Sequence, residues 1–277
     1  MINKNKLVTP FLKWVGGKRQ LINEIDKLKP RFTYYYEPFL GGGAVLFNLQ
    51  PKNAVVSDLN EELINVYNVI KDNSEELIND LKKHKNESEY FYKIRALDRE
   101  SNFKNLSNVE KASRFIYLNK TCYNGLYRVN NSGEFNSPFG KYVNPNIVNE
   151  ITIKAVSNYL NTNKISIYNK DYYEILKEIK KDSFVYFDPP YQPVSKTSNF
   201  TGYIQGGFNI DEQIRLKNCC DELNKKNIKF MLSNSDSEII KDLYKDYNIH
   251  YVKANRFINS NSEKRGEINE VIITNYE

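Results

Sequence analysis

Asp188-Pro189-Pro190-Tyr191 closes the apolar run Phe184-Val185-Tyr186-Phe187. Neither proline carries a backbone N–H and both have a fixed φ, so the segment stays extended and the carbonyls of Asp188 and Pro189 become acceptors aimed at a ligand. An acid, acceptor carbonyls and a ring face at one strand end suit an aromatic amine. This is the equipment for methylating the exocyclic nitrogen of a nucleobase: accept hydrogen bonds from the amino group, stack on the ring, and turn the nitrogen lone pair toward a methyl donor. A strand end followed by a Pro-Pro turn would account for the four residues alone, so the choice rests on the remainder of the chain.

Four further groups bear on it. Phe39-Leu40-Gly41-Gly42-Gly43 follows a short apolar run and would let backbone approach a ligand at a strand's carboxyl end. Asp58 ends the next run, Ala54-Val55-Val56-Ser57, where an acid can accept hydrogen bonds from ribose hydroxyls; a helix-capping aspartate is the alternative. Asp171 with Tyr172 follows Ile165-Ser166-Ile167-Tyr168 and could bind and pack an adenine, or be a surface turn. Trp14, Gly16, Gly17 and Lys18 could close over the same ligand, with the lysine meeting a carboxylate or staying solvated. No Gly-x-x-x-x-Gly-Lys-Ser/Thr is present, which disfavours a phosphate-cradling NTPase.

The elements that must position these groups fall into three blocks. Residues 1–64 read as strand, glycine turn, helix (Ala44 to Leu49), strand and acid, the order of a nucleotide-binding βαβ unit. Residues 65–163 read as amphipathic helices, one opened by the capping-box spacing Ser107-x-x-Glu110 and running to about Asn119. A hairpin follows, centred on Asn130-Asn131-Ser132-Gly133. Residues 164–277 return to α/β, with strands near Ile165, Phe184 and Phe230 and a closing antiparallel hairpin of Ile249 to Val252 with Val271 to Thr274. The expected fold is α/β with a mainly helical insertion.

Composition narrows the classes. The chain has 277 residues, enough for an α/β domain with an insertion. No apolar stretch approaches the roughly 20 residues of a membrane span, and Met1 to Lys6 lacks a signal-peptide core, so a cytoplasmic protein is expected. Cys122, Cys219 and Cys220 lack Cys-x-x-Cys spacing and lie far from His84 and His250, which gives little support to disulfides, zinc or a Ser-His-Asp triad. A net charge of +6 with 21 tyrosines and 15 phenylalanines permits a nucleic-acid partner.

Phe11-Leu12-Lys13-Trp14-Val15-Gly16-Gly17-Lys18-Arg19-Gln20-Leu21, Glu37-Pro38-Phe39-Leu40-Gly41-Gly42-Gly43-Ala44 and Asp188-Pro189-Pro190-Tyr191, in this order, resemble the Dam-like DNA adenine-N6 methyltransferases of the D12 class. Asn124-Gly125-Leu126-Tyr127-Arg128, Gly133-Glu134-Phe135-Asn136, Pro138-Phe139-Gly140-Lys141-Tyr142 and Ser198-Asn199-Phe200-Thr201 match as well, and within the family the chain is similar to the DpnM-type modification enzymes. The resemblance implies a Rossmann-like methyltransferase fold, with a mostly parallel seven-stranded sheet and an inserted DNA-recognition domain. It implies S-adenosyl-L-methionine as donor, no metal, and a donor site at Trp14, Gly16, Gly17, Lys18, Glu37, Phe39, Gly41, Gly43, Asp58, Asp171, Tyr172 and Asp188. It implies double-stranded DNA as partner, read at GATC by Leu126 and Arg128, with Tyr123 and Asn124 near the vacated base and Pro138 and Lys141 contributing. Lys141 stands where several relatives carry arginine, which leaves the stringency at the outer base pair open. A bacterial or phage setting, a companion restriction endonuclease for the same site, no membrane, and a monomer or weak dimer complete the expectation.

On this reading Asp188, Pro189, Pro190 and Tyr191 are catalytic: a flipped adenine stacks on Tyr191 while Asp188 and the Pro189 carbonyl accept from N6. Methylation of another amine is the enzyme alternative, although cytosine-N4 and glutamine-modifying relatives more often begin the motif with Asn or Ser. A DNA-binding protein with a decayed donor site, and a nicotinamide dehydrogenase, are the others. Lysines of the insertion and of Asn259 to Arg265 could meet phosphates.

Overall fold

The computed structural model describes residues 4–16, 18–193, 208–255 and 267–277. Gly17, Ser198-Asn199-Phe200-Thr201 and the Asn259 to Arg265 stretch lie outside the described residues. Strands β1 (Tyr34–Glu37), β2 (Asn53–Ser57), β3 (Lys164–Tyr168), β4 (Ser183–Phe187), β5 (Lys229–Ser235), β6 (Asn248–Asn255) and β7 (Glu267–Thr274) form one sheet. Its order is β3-β2-β1-β4-β5-β7-β6. The pairs β1–β2, β1–β4 and β4–β5 are parallel, whereas β7 runs antiparallel to β5 and β6. This is the Rossmann-like arrangement with an antiparallel terminal hairpin that the sequence predicts.

The helices are α1 (Ile22–Leu28), α2 (Ala44–Leu49), α3 (Glu61–Asp72), α4 (Ser74–Leu81), α5 (Ser88–Ala96), α6 (Asn108–Thr121), α7 (Glu150–Thr162), α8 (Tyr172–Leu176), α9 (Ile210–Lys225) and α10 (Glu238–Leu243). The chain gathers into two compact units. The first comprises Met1–Gly17, Gly41–Lys52 and Asp58–Asn169; the second comprises Lys18–Leu40, Asn53–Ser57 and Lys170–Glu277.

In the second unit β4 is buried at all five positions, as an apolar run covered on both faces must be. Val185 and Phe187 join Tyr36, Phe230, Leu232, Val271 and Ile273 from neighbouring strands, and Leu216, Cys220 and Leu223 from α9, in one core. Each large side chain so buried contributes about 1.5–3 kcal/mol, which holds the end of β4 in a fixed place.

In the first unit α6 is the central element. Ser107 and Glu110 form the anticipated capping box, and the helix continues two residues past Asn119 to Thr121. It packs against α3, α4 and α5, and buries Phe115, Tyr117 and Leu118 together with the polar Ser113, Arg114 and Asn119. His84 is part of this packing: it stacks on Tyr117 at 4.4 Å and meets Tyr90 and Ser113 at 2.9 and 3.0 Å. Burial pushes its pKa down to about 4, so it is a neutral core histidine near neutral pH. Cys122, Cys219 and Cys220 are buried thiols; burial pushes Cys122 and Cys219 up to about 12. No helix among the described residues is long and apolar enough to cross a membrane.

Candidate active site and recognition hairpin

In the second unit, β4 carries Asp188 out of the core. Its Oδ1 lies 2.6 Å from Lys18 Nζ, with the lysine side chain 6% exposed and the aspartate 21%. The same ammonium stands 4.7 Å from the centroid of the Tyr191 ring. A donor hydrogen-bonded to this carboxylate beside this ring has the partners expected for an aromatic amine. Burial pushes Asp188 up to about 6, with Lys18 opposing the shift and Glu270 adding to it. The Tyr191 hydroxyl donates to Glu270 Oε2 at 2.9 Å, and burial, first of all, keeps that phenol in its neutral, donating form.

Four other anticipated residues of this unit are ordered by their own neighbours. Glu37 is 2% exposed at the end of β1 and accepts from the Tyr35 hydroxyl at 2.8 Å. Phe39 packs on Tyr172 and Phe208 at 5.3 and 5.8 Å between ring centroids. Asp171 has both carboxylate oxygens on Arg215, at 2.6 and 3.0 Å, and caps α8 by accepting from the Tyr173 amide. Tyr172 lies under the Arg215 guanidinium at 4.7 Å, and its buried hydroxyl has no hydrogen-bond partner among the described residues.

In the first unit the glycine turn is shaped by close packing. Gly41 has φ +47°, and a Cβ there would come within 2.8 Å of the Trp14 indole. Gly43 has φ +67°, opens α2, and would strike the Tyr67 hydroxyl at 2.6 Å. Both positions therefore need glycine for backbone and for space. Asp58 is not the cap of the following helix: Asn60 is, accepting from Leu63 at 2.9 Å. The Asp58 carboxylate accepts from the amides of Gly41 and Asn60 at 2.9 Å each, while burial pushes its pKa up. Trp14 stacks on Tyr127 and Phe115, with centroids 5.7 and 6.3 Å away, and Gly16 turns the chain with φ +76°.

The expected hairpin is present as a pair of extended segments joined by isolated bridges at Val129–Phe135 and Cys122–Phe139, without regular strands. Tyr123, Asn124, Arg128, Pro138 and Lys141 are exposed, and Leu126 is half-buried. Asn124 and Lys141 both have left-handed backbone, φ +55° and +53°. Arg128 Nε donates to Asn136 Oδ1 at 2.7 Å, which aligns the guanidinium across the hairpin.

Beneath the hairpin is an ion network that sequence reasoning missed. Arg114, 3% exposed, pairs with Asp98 at 2.7 Å and Glu62 at 3.5 Å. Asp98 Oδ2 accepts from the Phe135 amide at 2.7 Å, and Glu62 Oε2 accepts from the Tyr127 hydroxyl at 2.9 Å. Arginine in a helix that is otherwise mostly apolar on its inner face was the available signal. Glu270, on the closing strand, was missed as well, its only signal being an acid just ahead of Val271-Ile272-Ile273. Among the described residues no group of three or more His, Cys, Asp or Glu is arranged to hold a metal ion.

A family model described as D12 class N6 adenine-specific DNA methyltransferase matches residues 14–258. The chain is 46% identical over 280 residues to the type II methyltransferase M1.LlaDCHI of Lactococcus lactis subsp. cremoris, covering 100% of this chain and 99% of that protein. It is 43% identical over 291 residues to the type II methyltransferase M.MjaIII of Methanocaldococcus jannaschii, covering 97% and 99%. Against the DNA adenine methylase of Escherichia coli K12 the identity is 33% over 266 residues, covering 95% and 93%.

Proposed function

The chain belongs to the D12 class of N6 adenine-specific DNA methyltransferases, and from that premise we propose that it methylates adenine within GATC in double-stranded DNA, on a base turned out of the duplex. The observation that carries this reading is the Asp188 carboxylate, desolvated at the end of β4 beside the Tyr191 ring and engaged by an ammonium. Adenine N6 cannot be reached inside a stacked helix, and a carboxylate next to a ring face is suited to receive it once extruded. Tyr191 offers its face with the hydroxyl tied to Glu270; Asp188 accepts from the amino group, and so does the Pro189 carbonyl. Lys18 engages Oδ1 of Asp188, and the carboxylate's other lone pairs remain acceptors for the amino group.

Methyltransferase membership implies S-adenosyl-L-methionine, and the donor set fits it. The Asp58 carboxylate has about four lone-pair directions, and the backbone amides of Gly41 and Asn60 take two, leaving capacity for a ribose hydroxyl. Gly41 and Gly43, both with left-handed backbone, keep the adjoining turn bare of side chains. In the first unit Trp14 adds an aromatic face; taken by itself, the second unit offers an acid in Glu37 and aromatic surfaces in Phe39 and Tyr172, whereas its Asp171 would have to share its carboxylate with Arg215 to take part. When bound, the sulfonium supplies an already activated methyl group. The protein's own share is then positioning and charge stabilisation.

GATC is the target that the resemblance to the Dam-like enzymes implies, and the hairpin is compatible with it. Arg128, exposed and aligned by Asn136, retains N–H groups suited to guanine O6 and N7. Residues 65–163 are accordingly read as the target-recognition insertion. Similarity to proteins named type II methyltransferases supports a modification role beside a restriction endonuclease for the same site. The test is methyl transfer from radiolabelled donor to matched duplexes containing GATC or its scrambled form, with the modified base identified. N6-methyladenine in the GATC duplex alone is expected. Equal label in both would remove the GATC assignment, and label on another base would remove the reading of the Asp188 loop.

A further inference from the structure

The loop that follows β4 has an anchoring problem. Pro189 and Pro190 have no N–H, so backbone ladder bonds cannot hold the stretch leading to Tyr191. The structure supplies a chain of side-chain amides instead. Gln213, on the first turn of α9 and 0% exposed, donates from Nε2 to the Pro190 carbonyl at 3.1 Å. Its Oε1 accepts from Asn234 Nδ2 at 3.1 Å, and Asn234 is itself 0% exposed. Asn234 Oδ1 then accepts from the Gln192 amide at 3.1 Å and from the Ser235 amide at 2.8 Å. Ser235 Oγ donates back to the Gln192 carbonyl at 2.6 Å.

This chain has one direction. The Pro190 carbonyl can only accept and the Gln192 amide can only donate, so both buried carboxamides are oriented without ambiguity; turning either one would set donor against donor or acceptor against acceptor. Its two ends grip the peptide planes on either side of Tyr191, while the tyrosine's hydroxyl is held by Glu270. Backbone on both sides and the tip of the ring are thereby fixed, and the locked φ of Pro190 passes the constraint back to the Pro189 carbonyl.

We propose that Gln213 and Asn234 are positioning residues for methyl transfer, a neutral amide strap that sets the Tyr191 ring and the Pro189 carbonyl at the angle the target base requires. The assignment rests on the reading of the Asp188 loop as the adenine site. Neither residue touches the base: they act through the loop.

The test uses Gln213→Glu and Asn234→Asp in the full chain. Each keeps the size of the side chain and replaces a donor with an oxygen, facing Pro190 O in the first case and Gln213 Oε1 in the second. On the duplex that the native enzyme methylates, kcat is expected to fall about ten- to hundredfold, the scale of a small misplacement of reacting groups, while the dissociation constants for donor and duplex stay within about twofold of native. For Gln213→Glu the deficit relative to native should shrink as pH falls and the new carboxyl gains a proton to donate. If that variant does not fold, Gln213→Met, which removes the donor without adding charge, is held to the same kcat and binding criteria. Unchanged kcat, or losses of donor and duplex affinity that parallel the loss of rate, would overturn the strap. Asp188→Asn, measured alongside, separates the two readings: if it turns over normally the adenine-site reading fails, whereas if it is inactive and the strap variants are fully active only the strap fails.

Discussion

The hairpin segment 126–136 and the loop 188–192 are both short and irregular, both present side chains, and are held by opposite chemistry. The hairpin rests on buried charge: Arg114 between Asp98 and Glu62, with Asp98 gripping the Phe135 amide and Glu62 the Tyr127 hydroxyl. The loop rests largely on neutral groups, the carboxamides of Gln213 and Asn234 and the Ser235 hydroxyl. The difference follows from what each segment carries. On the proposed reading, a recognition arm can tolerate fixed charges behind it, but a carboxylate whose ionisation matters feels every charge nearby. At Asp188 such charges already register, Glu270 pushing the pKa up and Lys18 pulling it down. Carboxamides orient the loop without adding to that field.

If the contrast is sound, the largest stability loss should come from the hairpin's frame. Arg114→Ala removes the buried guanidinium from Asp98, which keeps its ion pair with Arg99 at 2.7 Å, and from Glu62, whose side chain is 30% exposed, so a drop at the low end of the range for breaking a buried pair, about 3 kcal/mol, is expected in chemical unfolding. A much smaller loss would mean that water reaches Asp98 and Glu62 and that the frame is not a buried one.

The acceptor loop should instead reveal itself through pH. If, as proposed, Asp188 accepts from the amino group, it must be ionised, so the rate should fall as pH drops through about 6, well above the ordinary carboxylate value of 3.8. A pH–rate profile tests this, with a limb of about tenfold per unit below the midpoint. The stability contribution has the opposite sense. A carboxyl whose folded pKa is raised binds its proton more tightly in the native state, so its contribution is present in full below 3.8 and is lost as pH rises through about 6.

Smaller changes sharpen the comparison. Tyr191→Phe removes the hydrogen bond to Glu270 but keeps the ring; since a bond to a charged acceptor contributes about 1.5–3 kcal/mol, roughly a tenfold or greater loss in kcat is expected, with donor binding unchanged in titration. Asn136→Ala releases Arg128 Nε and should weaken discrimination between GATC and singly altered sites by about 0.5–1.5 kcal/mol. That is less than the roughly 1–3 kcal/mol expected from removing Arg128 itself, and competition binding with altered duplexes would measure both.

Much of the frame was legible before any coordinates. Apolar runs ending in an acid marked β2 with Asp58 and β4 with Asp188, and the spacing of Ser107 and Glu110 marked the start of α6, because strand period, turn chemistry and helix caps are local. The resemblance brought the candidate site residues together by position in the chain. What stayed hidden depends on distant pairs. Gln213 meets Pro190 across 23 residues and Glu270 meets Tyr191 across 79, and nothing local distinguishes them from surface polar residues. Asp171 shows a neighbour that local reading leaves out. An acid at a strand end invites a ligand, yet Arg215, 44 residues on, already engages both of its oxygens. The hairpin's extended runs were visible too, but the residues between its isolated bridges are ordered by side chains rather than by a ladder.

The three thiols give the folded enzyme a built-in reporter. Each is enclosed, and the two with pKa near 12 hold almost no thiolate at neutral pH, so an alkylating reagent has nothing to attack until the chain opens. Because Cys122 belongs to the first unit and Cys219 and Cys220 to the second, mass-resolved labelling would time the opening of each unit separately, in the unmutated protein and without an attached dye.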